Sequence, residues 1–128
     1  MTTATLFGLA LAPLYSAIAK VESDRGATSA NVYQIREIYV RDVNRIILND
    51  RICSFQFEPT DNQSKDRSEI MMYIYWLKWG IHYQKKTYNP VTYEVLARIH
   101  NGGPLGWKKP ETIAYWQKVK AIMKGVAK

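Results

Sequence analysis

The segment Pro13-Leu14-Tyr15-Ser16-Ala17-Ile18-Ala19-Lys20-Val21-Glu22-Ser23-Asp24-Arg25-Gly26 decides how the chain is read. Pro13 suits the first turn of a helix, where its missing N–H costs nothing. Leu14, Ala17, Ile18 and Val21 then recur at helical spacing and form one apolar face. Glu22 lies one turn beyond Ile18, at the edge of that face and in the last helical turn. Gly26 is available for a left-handed cap.

Working outward, Ala27 to Asn31 reads as a loop and Val32-Tyr33-Gln34-Ile35 as a short, extended piece. A second helix is expected over Glu37 to Leu48, with Ile38, Val43, Ile46 and Ile47 inward. Asn49 to Ser64 is irregular. Ser64 caps a long helix from about Asp66 to Tyr83, dense in Met71, Tyr73, Ile74, Trp76, Leu77 and Trp79. Pro90 opens a helix to Asn101, and Asn101-Gly102-Gly103-Pro104 breaks it. Pro110 starts a last helix with Ile113, Trp116, Val119 and Ile122 on one side. The expectation is a mainly α fold with little or no sheet.

In the other direction, Ala4 to Ala12 is almost wholly apolar. No Lys or Arg precedes it, and cleavage after Ala12 would leave Pro13 at the new terminus, so it reads as a buried segment ahead of a cleaved leader. It is too short to span a bilayer. Residues 1–128 are taken as one domain, with 1–12 as an N-terminal extension.

The 128 residues carry 18 Lys and Arg against 11 Asp and Glu, a net charge of +7 that favours anionic polymers. Cys53 is the single cysteine, so packing alone must hold the fold. No Cys or His cluster has metal-ligand spacing and no Gly-rich phosphate loop occurs; neither metal nor cofactor is expected. A nucleic-acid binder would interleave aromatics with its lysines on one face, and only the lysines are found, so nucleic acid is not expected as a partner.

A carboxylic acid that stays protonated near neutral pH needs a partly apolar site, and the negative end of a helix dipole adds to that effect. Glu22 meets both conditions, although a Glu at the edge of an apolar stripe is, taken alone, ordinarily a solvated flank. Three further segments change the balance: Tyr33-Gln34-Ile35, Asn101-Gly102-Gly103-Pro104 and Glu111-Thr112-Ile113-Ala114-Tyr115. With Ala19-Lys20-Val21-Glu22-Ser23, and in this order, they resemble the lysozyme-like superfamily, and within it the soluble lytic transglycosylases and goose-type lysozymes. The resemblance runs from Leu14 to Met123. Tyr33-Gln34-Ile35 with Tyr39 is also similar to invertebrate-type lysozymes, which carry many cysteines where this chain has one.

The resemblance implies a lysozyme-like fold and cleavage of the MurNAc–GlcNAc β-1,4 bond of peptidoglycan. It implies that Glu22 is the general acid and that Ser23, Gln34, Asn101 and Tyr115 line the substrate cleft. Trp107, in the Gly-Pro-Leu-Gly-Trp loop, is the best exposed stacking candidate. Asn31 replaces the family's Gly before the Gln-Ile pair, and Asn tolerates a left-handed backbone. His100 stands where the family has Tyr and reads as a packed residue.

Retaining glycosidases need a second carboxylate about 5 Å from the acid, and inverting ones about 7–9 Å. Asp24 and Asp42 are the candidates, neither within a motif. One-Glu lytic transglycosylases need no partner, so that outcome is expected, with a lysozyme-type hydrolase or a non-catalytic glycan-binding relative as alternatives. Small size and one domain fit a phage endolysin. Action is expected on the bacterial wall, with Lys108, Lys109, Lys118, Lys120, Lys124 and Lys128 attaching the protein to an anionic envelope.

Overall fold

The computed structural model describes residues 4–125. Five helices account for most of it: α1 (Ala12–Asp24), α2 (Glu37–Asn49), α3 (Lys65–Thr87), α4 (Tyr93–Gly102) and α5 (Ile113–Met123). The sheet is a single antiparallel pair, β1 (Thr5–Leu6) and β2 (Leu9–Ala10), in the register Thr5 to Ala10 and Leu6 to Leu9. The expectation of a mainly α fold is met. Among the described residues, no helix is long and apolar enough to cross a membrane.

Local signals open α1, α3 and α4. Pro13 opens α1, and Gly26 follows its end at φ 98°, as the sequence predicts. The Ser64 hydroxyl accepts a hydrogen bond from the Arg67 N–H and caps α3. Thr92 caps α4 in the same way through the Val95 N–H, so α4 begins at Tyr93 and Pro90 stays outside it. Pro110 opens a 3₁₀ turn, Pro110–Thr112, and α5 starts only at Ile113, which is exposed.

Trp76, fully buried on α3, organises the centre. Its indole N–H donates to the Leu96 carbonyl on α4 at 2.8 Å, and Tyr15 of α1 stacks on its ring at 5.6 Å. The core gathers Leu14, Ile18 and Val21 from α1, Val43 and Ile47 from α2, Met71 and Met72 from α3, Leu96 and Ile99 from α4, and Val119 from α5. α5 packs on α1 and α4, while α3 packs on α2 and α4. Gly106 lets the 106–108 turn lie against α4: a Cβ there would meet the Arg98 carbonyl oxygen at 2.0 Å.

Residues 1–3 of the stretch expected as an extension lie outside the described residues. The remainder is built into the core, with Leu6 and Leu11 buried and the Leu11 N–H bonded to the Ala4 carbonyl. Beyond the helix starts at Pro90 and Pro110, three local expectations are corrected. Ile38, expected inward, is 57% exposed; Val40 takes the buried position on that turn. Residues 32–35 form no strand. The left-handed residue of that loop is Gln34, at φ 53°, and not Asn31. Asn31 instead clamps the loop: its side chain accepts from the Ile35 N–H and donates to the Ile35 carbonyl, both at 2.9 Å. An Asn that satisfies both polar groups of one backbone unit fixes the turn without itself adopting positive φ.

Candidate active site

The last turn of α1 carries Glu22 out of the core and into the floor of a cleft. This cleft, of about 340 Å³, is lined by Glu22, Arg25, Gln34, Tyr39, Asp42 and His100, among others, with Asn101 and Pro104 at the end of α4. Glu22 is only 4% exposed. Its Oε2 accepts the Tyr115 hydroxyl at 2.7 Å and lies 3.4 Å from the Arg25 guanidinium. Its Oε1 accepts from the Gln34 amide at 3.3 Å, a longer and weaker bond.

Burial pushes the Glu22 carboxyl above its ordinary value, against the Tyr115 hydrogen bond and the charges of Arg25 and Arg36, which pull it down. Two cations thus stand near this acid. Arg25 sits one turn along from Glu22 and also over the Tyr115 ring, 5.2 Å from its centroid. Arg25 is 42% exposed at its side chain, so water screens much of its charge, whereas the loss of hydration at Glu22 is unscreened. Oε2 receives two donors and Oε1 one, so Oε1 has the greater free lone-pair capacity.

His100 backs this arrangement. Its side chain is 4% exposed and its Nε2 lies 4.0 Å from Glu22 Oε2 and 3.3 Å from the Tyr33 carbonyl. Burial lowers its pKa to about 4, so the ring is neutral near pH 7 and makes no ion pair with Glu22. A neutral ring with Nε2–H donating to Tyr33 leaves Nδ1 to accept from the Tyr39 hydroxyl at 3.5 Å. Tyr39 in turn stacks on Tyr75 at 4.4 Å, and both rings line the cleft. His100 is thus packed, as its sequence context suggests, and it also ties the loop that carries Gln34 to α4 and α2.

Of the residues singled out in the sequence, the fold brings together Glu22, Gln34, Asn101 and Tyr115, with Asp42 on the facing helix. Ser23 and Asp24 are exposed and point elsewhere; Asp24 pairs with Lys20 at 3.5 Å. Trp107 is not at the cleft. It packs edge-on against Tyr83 at 5.0 Å and its indole nitrogen is closed to solvent. Arg25, Arg36, Tyr75 and Ile38 were missed. Arg25 alone left a signal, the i, i+3 spacing from Glu22 that places both on one helix face.

No protein-family model matches the chain. Among curated proteins it is 31% identical to a lysozyme of Meretrix lusoria, over 84% of this chain and 85% of that protein. It is 31% identical to a lysozyme of Magallana gigas, over 71% of this chain and 58% of that protein. A stretch covering 23% of the chain is 52% identical to invertebrate-type lysozyme 6 of Caenorhabditis elegans, 21% of which it spans. A buried carboxyl in the lining of a cleft and a likeness that spans most of both chains lead to one conclusion: the chain belongs to the lysozyme family.

Proposed function

We propose that this chain, as one catalytic domain, cleaves the β-1,4 bond between MurNAc and GlcNAc in peptidoglycan, with Glu22 as the proton donor. The observation that carries the proposal is the environment of Glu22: 4% exposed, pushed up by burial, with Oε1 the oxygen of greater free lone-pair capacity. As the glycosidic oxygen leaves, it takes the Glu22 proton, and positive charge develops on the sugar that stays behind. Gln34 and Asn101 border the path of the glycan and orient it by hydrogen bonds.

Hydrolysis is the outcome best supported. Asp42 lines the same cleft from α2, where a carboxylate can stabilise the cationic sugar or activate water. The names of the relatives agree with it. The lytic transglycosylase outcome keeps one supporting observation. The group that reaches Glu22 from the 31–35 loop is the Gln34 amide, not a carboxylate. In that case Glu22 itself takes the proton from the muramyl 6-hydroxyl and a 1,6-anhydro ring closes. The wall is the proposed place of action, and the exposed Lys118 and Lys124 on or beside α5 supply attachment to its anionic polymers. Lys128 lies outside the described residues.

Mass spectrometry of digested peptidoglycan tests the reading. Reducing-end muramic acid is expected as the main product, together with a loss of about 10²-fold in rate for Asp42→Asn, the range of one acid–base group. Anhydro products, one water lighter, with near-full activity in Asp42→Asn would establish the transglycosylase and would bear on the placing among lytic transglycosylases and phage lysins. No cleavage by folded wild-type protein would leave a non-catalytic glycan binder.

A further inference from the structure

The cleft that holds Glu22 does not end at α2. A second basin of about 400 Å³ shares Asp42 and Pro104 with it and continues between α2 and α3. Its other lining residues are Arg45, Ile46, Asn49, Asp50, Lys78 and Trp79. On α2, Ile38, Asp42, Arg45 and Asn49 succeed one another at intervals of three and four, so they form one stripe that runs from the first cavity into the second. At about 1.5 Å per residue that stripe is roughly 17 Å long, more than the reacting sugar needs.

The two cavities differ in charge density: the first has Glu22, Arg25, Arg36 and Asp42 among twelve lining residues. The second basin has as many among eight: Asp42, Arg45, Asp50 and Lys78. Arg45 touches Asp42 through Nη1 alone, at 3.1 Å, and its side chain is 65% exposed; Lys78 reaches Asp50 at 3.1 Å with 37% of its side chain exposed. A guanidinium has five N–H donors, so most of the Arg45 fork is free for a second acceptor. Exposed pairs of this kind hold each other weakly, and an incoming carboxylate can share or replace the partner at little cost. Sugar hydroxyls can meet these groups with single hydrogen bonds, but a carboxylate meets the two cations more strongly. Peptidoglycan supplies one, because each muramyl unit carries a short peptide with free carboxylates that branches from the glycan chain.

We propose that the second basin holds the peptide branch of the muramyl unit next to the cleaved bond, with Arg45 and Lys78 on its free carboxylates. This rests on peptidoglycan as the substrate of the Glu22 cleft. It makes Arg45 and Lys78 specificity residues that separate peptide-bearing wall from bare glycan. Trp79 is the built-in reporter: its ring lies under the Lys78 ammonium at 5.8 Å, and its indole N–H has no acceptor in the free protein.

Three soluble ligands titrated into Glu22→Gln protein test the inference: a disaccharide-tetrapeptide with free carboxylates, the same disaccharide without peptide, and chitotetraose. Binding is followed through the indole N–H resonance of Trp79, assigned with Trp79→Phe, and through the side-chain amide of Gln34 as a marker of the first cavity. The peptide-bearing ligand is expected to move both resonances, and the two bare sugars only that of Gln34. Arg45→Gln and Lys78→Gln are each expected to weaken the peptide-bearing ligand about three- to fivefold, the scale of an exposed charge contact. Their affinity for the bare disaccharide should follow that of Glu22→Gln alone. Bare sugars that move Trp79 equally would make the basin an ordinary saccharide site and overturn the proposal. So would equal weakening of every ligand in both variants, or a peptide-bearing ligand that moves Gln34 only, which leaves the Glu22 reading intact. If no ligand moves Gln34 either, the Glu22 reading falls with it.

Discussion

The two walls of the cleft are built on opposite principles. On one side Glu22, Tyr115 and the His100 ring are buried, and each polar atom has a partner in the fold. On the other, α2 presents Ile38, Asp42 and Arg45 to solvent, tied by loose ion pairs and by nothing deeper. On the proposed function, the contrast follows from what each wall has to do. An acid catalyst must be deprived of water to keep its proton, so its surroundings are fixed in advance. A wall that receives a long polymer gains from side chains that can change partner.

The largest effect is expected from Glu22→Gln, which keeps the shape but cannot donate a proton: a loss of roughly 10²- to 10⁴-fold in wall cleavage. The same change should stabilise the fold near neutral pH. Burial raises the folded-state pKa of Glu22, so its stability contribution is full below the ordinary value of 4.5 and is lost as pH rises through the raised value. An amide escapes that loss. A melting temperature at pH 7 below that of the wild type, with activity retained, would remove Glu22 from the mechanism.

Tyr115→Phe sharpens the comparison on the buried side, with an expected loss on the order of tenfold, the scale of one hydrogen bond to a charged group. The hydroxyl holds the Glu22 pKa down, so without it the pKa rises further and the alkaline limb of the pH–rate profile moves upward. Arg25→Ala should move the limb the same way by less, since that side chain is partly in water. A limb that stays in place in both variants would mean that it reports another group.

His100 reports on the same wall through stability. Burial lowers its pKa from 6.5 to about 4, so the unfolded chain binds a proton that the folded one refuses between those values. Its contribution is therefore full above pH 6.5 and lost as pH falls toward 4. Melting curves for the wild type should fall across that window, and those of His100→Phe should fall less. Equal slopes would place the acid sensitivity elsewhere.

The smallest effects belong to the exposed side. Whole-wall cleavage should decline as salt rises, because attachment through exposed lysines is screened beyond about 8 Å at physiological ionic strength. Cleavage of a short uncharged oligosaccharide should barely change. Lys118→Glu with Lys120→Glu and Lys124→Glu should reproduce the high-salt behaviour at low salt. Parallel loss on both substrates would place the salt effect at the cleft.

Much of this was present in the chain itself. The apolar period of residues 14–21, the Ser64 cap and the breaker at 101–104 act within a few residues, so α1, the start of α3 and the end of α4 are local facts. Glu22 at the last turn of α1 is a local fact too. Other features needed the packed fold. Ile38 sits at a core-compatible period, yet Val40 fills the core because of where α3 lies against α2. Trp107 reads as an exposed stacking residue, and Tyr83, 24 positions earlier, claims it. Burial of Glu22 and its bond to Tyr115, 93 residues later, arise only when α5 closes on α1. The sequence by itself determined the helices and supplied a carboxyl at the end of one of them. Tertiary structure decided that the carboxyl is buried and its pKa raised, because desolvation is a property of everything packed around a group and no local pattern carries it.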